Sequence, residues 1–300
     1  MNVSGIRSLR ALCVLGLLPL AAAAGESSVD RKVAADPKGE VVISNVSGSV
    51  DVRGWDRNEV QVKGELDEDV DRVDVETSGG RTFIKVILPR GGHHGGDAVL
   101  EIQVPRMSSL DVTTTSADVN SKGVLGNQQL KTVSGEIVAD IGGDDNEVRS
   151  VSGDLTLRGT GKPQNIRVSS VSGSLELNNA AGKLDVVTVS GDARARLGDT
   201  TEINARTTSG DMELHARMLR DGRVSAESVS GDVTLSLQSA EGLGLEIESF
   251  SGEITGCLAT DVQRVSKYGP GVRLDTRTGR DGSARVRAKT LSGDIEICDR

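Results

Sequence analysis

An acidic residue follows a Ser-Gly pair again and again along this sequence: Glu136, Asp154, Asp192, Asp211, Asp232, Glu253 and Asp294, with Asp118 after a Ser-Ala variant. If these carboxylates lie one above another, they form a ladder of like charge that needs cations, neighbouring bases or backbone donors to compensate it. One chemistry for such a ladder is weak Ca²⁺ binding or capture of a cationic partner. The other is structural, each acid capping its own turn by accepting a backbone N–H. Own-turn capping is the expectation, because the Gly/Asp nonapeptide of calcium-binding β-helices is absent and no cofactor is called for. Small hydroxyls flank the same glycines at the third and first preceding positions, as in Ser150 and Ser152, Ser170 and Ser172, Thr188 and Ser190, and Ser228 and Ser230. With outward parity they would make a hydroxyl and carboxylate face able to hydrogen-bond a glycan. Asp154, Asp192, Asp211, Asp232, Ser152, Ser190 and Ser230 are therefore the candidate ligand face.

Other reactive residues are few. His93 and His94 stand in Gly-Gly-His-His-Gly-Gly-Asp with Asp97 close by, a weak metal candidate because adjacent imidazoles face different ways. His215 follows an apolar residue on a strand and is expected to point to solvent. Cys257 and Cys298 each stand five residues after a motif glycine, Gly252 and Gly293, so they share one phase of the repeat. If the residues between form a hairpin excursion, the pair lies on neighbouring strands and a disulfide can form. The sequence carries no nucleophile elbow, metal-ligand helix motif or phosphate-cradling loop. Its acids are spread along the chain and not gathered, so no enzyme activity is expected; the alternative is a carbohydrate-active β-helix enzyme, a polysaccharide lyase or hydrolase.

The elements that must position these residues follow from the cadence itself. Motifs begin at Ser47, Ser116, Ser134, Ser152, Ser172, Ser190, Ser209, Ser230, Ser251 and Ser292, mostly 18–21 residues apart. A fixed period of this size means one small unit stacked on copies of itself. Counting from each motif glycine, positions +2 and +4 are apolar, as in Leu155 and Leu157 or Val233 and Leu235. Positions −7 and −5 repeat the pattern in Ile166 and Val168 and in Leu184 and Val186. Alternation of this kind marks strands. The odd upstream and even downstream parities require a bend or bulge between them. If the strand runs unbroken through the motif, the residue at −2 faces inward with the glycine. That predicts burial of Val46, Val133, Val151, Val171, Val189, Val229, Phe250 and Leu291, leaving serine and aspartate outside.

The fold class predicted is all-β, a right-handed β-solenoid of single-stranded β-helix type with 18–21 residues per coil. Residues 25–110 read as a β-rich N-terminal capping region continuous with the solenoid, 111–256 as the regular coils, and 257–300 as a C-terminal capping hairpin and last coil. Residues 1–24 have the form of a secretory signal peptide: Arg7 and Arg10, an apolar run from Ala11 to Leu20, and Ala22-x-Ala24 before the cleavage point. No later stretch is apolar enough to span a membrane once that segment is removed. The net charge of −9 and the lack of a basic, aromatic-interleaved patch argue against nucleic acid. Trp55, Phe83, Phe250 and Tyr268 are all the aromatic residues, so the core must be built from Val, Ile, Leu and Ala.

The recurring Thr-Val-Ser-Gly and Ser-Val-Ser-Gly-Asp strings, the opening NVSGSVDVRGWDRNEVQV and the ending FSGEITGCL, SKYGPGVRL and GSARVRAKTLSGDIEIC resemble the bacterial putative-adhesin family of unknown function. The likeness covers nearly the whole chain after the leader. It implies an exported β-solenoid of the cell envelope, periplasmic or at the cell surface, and carries over no functional residues. The function expected is that of a non-catalytic adhesin or scaffold binding an envelope glycan or protein along one lateral β-face.

Overall fold

A computed structural model describes residues 27–89, 96–266, 269–279 and 283–299. The expected signal peptide, His93 and His94 lie outside the described residues. The chain is all-β, and among the described residues 24 strands join in one hydrogen-bonded sheet that winds into a solenoid. One coil shows the pattern. Strand Asp145–Ser150 runs up one side, the chain bends over Val151–Gly153, and strand Leu155–Gly159 runs down the other.

Successive coils pair in parallel and in register, so like residues stack. On the first side Leu130, Val148, Val168, Val186, Ala205 and Ala226 form one continuous column. On the second Leu157, Leu177, Ala195, Leu214 and Leu235 form another. All of these side chains are buried, and the core is the thin seam where the two columns meet. A buried Val or Leu contributes about 1.5–3 kcal/mol. A single coil has too few of them to stand alone, which is why the coils must stack.

The residue at −2 is not inside, and the correction follows from where the corner falls. The chain turns at the motif, over residues 133–135, 151–153 and 171–173 in the early coils and at the glycine in the later ones, and the upstream parity runs on to position −3 before it breaks. Val133, Val151, Val171, Val189, Val229, Phe250 and Leu291 therefore point outward, 45–58% exposed. Val46 is half-buried. The hydroxyl at −3, expected outside, is inside: Thr132, Ser150, Ser170 and Thr188 are each buried. At Thr132, Ser150 and Ser170 it closes the corner. Ser150 Oγ accepts from the Gly153 amide at 2.8 Å and donates to the Gly153 carbonyl at 2.9 Å.

The motif glycines meet along the stacking axis. A Cβ built on Gly173 would lie 2.1 Å from the Gly153 carbonyl oxygen, and one on Gly231 would lie 2.2 Å from that of Gly210. Each glycine is thus required by the backbone of the coil beneath it.

The two ends are finished differently. Strands Glu40–Asn45 and Ser47–Trp55 already belong to the parallel stack, pairing with Ser109–Thr114 and Asp118–Lys122. The segment between them adds one more parallel layer, Arg81–Ile87 on Glu40–Asn45 and Asp97–Pro105 on Ser47–Trp55, whose outer flanks are covered by the antiparallel strands Arg72–Ser78 and Glu59–Leu66, the latter edged in turn by Ser27–Ala34. At the far end the stacking order departs from the chain order. Strand Ala284–Ser292 pairs in parallel with Met212–Ser230 on one flank and with Gly242–Ser251 on the other. The last coil in sequence is therefore wedged beneath the one before it. The outer flank of Gly242–Ser251 is covered by the antiparallel strand Val272–Gly279. Antiparallel cover at both ends blunts edges that would otherwise template aggregation.

Candidate functional site

The acidic ladder exists, but its bonds run between coils. The Asp192 carboxylate accepts the backbone N–H of Asp211 at 3.1 Å, Asp211 accepts that of Asp232 at 3.0 Å, Asp232 that of Asp294 at 2.8 Å, and Asp294 that of Glu253 at 2.8 Å. Lower in the stack, Asp118 and Asp154 serve Glu136 and Ser174 in the same way. Own-turn capping is corrected accordingly. The reason lies in the backbone: the carbonyl at this position already accepts from the residue at +2 one coil below, as in Met212 to Asp232, while its own N–H at the corner finds no backbone carbonyl. Serines of the candidate face are likewise tied to the frame. Ser152 Oγ donates to the Val133 carbonyl at 3.2 Å, and Ser190 and Ser230 lie in the parallel register on either side of Ser209. Replacing Asp211 by Ala should cost about 1 kcal/mol, the usual worth of one such bond, and Asp211→Asn should cost less because an acceptor remains. Urea denaturation of both variants checks this; equal losses would remove the hydrogen bond as the cause.

A second lateral face, on the upstream strands, carries a longer array. One side-chain row crosses ten strands in register: Asp111, Gln129, Glu147, Arg167, Asp185, Asn204, Ser225, Arg287, Glu246 and Asp275. Along this face lie three depressions. One of about 320 Å³ is floored by Asp111, Gln129 and Glu147, one of about 180 Å³ by Arg167, Asp185 and Asn204, and one of about 750 Å³ by Ser225, Arg287, Glu246 and Asp275. Shared residues join them: Arg167 borders the first two, and Glu202 and Asn204 the last two. The result is a polar groove parallel to the solenoid axis.

Its charges are largely matched across strands. Arg287 meets Glu246 at 2.7 Å, Lys289 meets Glu248 at 2.9 Å, and Lys183 meets Glu202 at 3.3 Å. The Arg287 hydrogen bond holds the Glu246 carboxyl below the usual carboxylate range. Glu202 is lowered likewise, first by the Asn204 amide and then by Lys183. Sequence reasoning missed this face. The available signal was the run of polar residues at −8, −6 and −4, which alternate with the apolar −7 and −5.

The remaining candidates are placed as follows. Cys257 and Cys298 are brought together, as their phase implied, but as free thiols: the Cys257 amide donates to Cys298 Sγ at 3.0 Å. Contact with Cys298 raises the Cys257 thiol above its ordinary pKa. Asp97 accepts a hydrogen bond from Ser47 Oγ. His215 is half-exposed, its Nε2 2.7 Å from Glu213, and this bond lowers the Glu213 carboxyl. Among the described residues no three His, Cys, Asp or Glu side chains gather as a metal site, and no helix is long and apolar enough to cross a membrane.

Comparison with known proteins gives one family match and several distant folds. A family model described as Toastrack DUF4097 matches residues 40–298. No curated protein matches the sequence. Among solved structures, a putative adhesin from Parabacteroides distasonis is 9% identical, the match covering 90% of this chain and 97% of that one with a TM-score of 0.42. A putative cell adhesion protein from Clostridium sporogenes is 10% identical over 91% of this chain and 100% of its own, TM-score 0.25. A putative lipid binding protein from Parabacteroides distasonis is 11% identical over 90% and 97%, TM-score 0.38.

Proposed function

The chain belongs to the Toastrack DUF4097 family, and from that premise we propose that it is a non-catalytic, exported protein of the bacterial envelope that holds an extended glycan in its lateral groove. The observation that carries this reading is the unbroken row from Asp111 to Asp275, in which each strand offers a hydrogen-bonding or charged side chain at the same height. Strands repeat at about 4.8 Å, so the row extends for roughly 45 Å along the axis. A polymer with hydroxyls at regular intervals can be met by donors and acceptors at regular intervals. A compact ligand would use only one of the three depressions. The expected signal peptide at residues 1–24 supports export, and the adhesin-like role agrees with the family resemblance seen in the sequence.

Binding to a glycan array, followed by sizing of the bound polymer, tests the proposal. The expected result is retention of one class of linear glycan with its chain length unchanged. A ladder of shortened products would replace the adhesion module with a depolymerising enzyme, and failure to retain any linear glycan would remove the groove as a binding site.

A further inference from the structure

The groove is not uniform along its length. In the side-chain row next to the one already described, neighbouring strands place Glu202, Arg223, Arg285, Gly244 and Arg277 at one height. All five border the 750 Å³ depression. Glu202 is engaged by Lys183 and by Asn204. Arg223, Arg285 and Arg277 make no ion pair within 4 Å and no hydrogen bond among the described residues, although Arg223 acts through space on Glu202, whereas Arg287 in the adjoining row and Arg273 in the row beyond are paired with acids. Three guanidinium groups without a direct acidic contact thus lie together on a chain whose net charge is −9.

Gly244 stands between Arg285 and Arg277 in this row, and the backbone does not require a glycine there. Its φ is not in the left-handed region, and a Cβ built on it would find its nearest atoms at 3.8 Å, the Ala284 carbonyl oxygen and Arg277 Nε. This distinguishes it from the motif glycines. Its effect is to leave a gap in the row, floored by backbone and flanked by guanidinium groups.

On the reading that the groove holds a glycan, we propose that Arg223, Arg285 and Arg277 form an anion seat around Gly244 that takes the acidic groups of a charged polysaccharide. Guanidinium matches carboxylate, sulfate and phosphate oxygens through paired N–H donors. The attraction is exposed to solvent, so salt weakens it. Charges on adjacent strands repeat along the axis, so a polyanion lying in the groove meets them in succession.

Calorimetric titration of the purified protein with oligogalacturonate, dextran sulfate oligomers and neutral dextran of similar length tests the seat. The expected result is that at least one anionic probe binds about tenfold or more tighter than dextran, a margin that shrinks as salt is raised. The triple variant R223Q/R285Q/R277Q should lose that margin, its Arg-to-Lys counterpart should keep part of it, and Gly244→Val should lose it without lowering thermal stability. Substituting Arg194 and Arg196 by Gln on the other lateral face should change nothing. The seat is overturned if the triple Gln variant binds the anionic probe as tightly as the unaltered protein, or if dextran binds as well as both anionic probes; in those cases the groove stands. If none of the three probes binds, the groove falls with the seat.

Discussion

Ending the chain at Gly279 is expected to leave residues 242–279 unseated while the coils up to Gln238 stay folded. The deletion removes strands Ala284–Ser292 and Ile295–Cys298, which lie between two other coils. With them go the buried side chains Ala284, Val286, Ala288, Ile295 and Ile297. Val286, Ile295 and Ile297 alone contribute roughly 1.5–3 kcal/mol each. Both flanking coils also lose their hydrogen-bonded neighbour. Such a sum rivals the 5–15 kcal/mol that typically separates folded from unfolded states. Nearest-neighbour stacking confines the damage, because the coils below Met212 do not touch the missing piece. Limited proteolysis should show early cleavage within 242–279 and protection before it, and light scattering should show association through the bared edge. Protection of 242–279 equal to that of the full chain would show that the outer coil can seat itself directly on Met212–Ser230.

The second large effect is expected at Gly153. A Cβ there would fall 1.9 Å from the Gly135 carbonyl oxygen and 2.6 Å from its carbon. Both are backbone atoms, which cannot rotate aside. Gly153→Val must therefore push two coils apart, at a cost of about 3 kcal/mol or more. Gly198→Ala is the control, since its Cβ would meet nothing closer than 3.7 Å. Urea midpoints for the two variants should separate clearly, with Gly198→Ala near the unaltered protein. Matching midpoints would mean that the motif glycines are not held by the coil beneath.

Much of this architecture was legible in the residues, and the parts that were not share a cause. Leu155 with Leu157 and Ile166 with Val168 announce two strands per coil, because alternation reports which side of a strand is buried. Alternation cannot report where a strand stops. Carrying the downstream parity back through the motif put Val151 inside; carrying the upstream parity forward to Ser150 would have put it outside, where it is. The acids after the motif glycines announce a ladder, but the partner of Asp211 depends on which backbone N–H the corner leaves unpaired. The wedged final coil left no trace in the spacing either, since the 41 residues from Ser251 to Ser292 fit an excursion in any direction. The groove is the least legible feature. Phase shows that residues at −8, −6 and −4 share a face, while the hollow along that face arises from how successive strands lie against each other.

In-register stacking also makes the groove a ruler with indivisible steps. Inserting or losing a single residue within a coil turns core side chains outward from that point to the next corner, whereas gaining a whole coil of 18–21 residues leaves every neighbour matched. Lineages of such chains can therefore lengthen or shorten the surface they present by one strand spacing at a time, and each added step brings its own trio of outward residues to be altered independently.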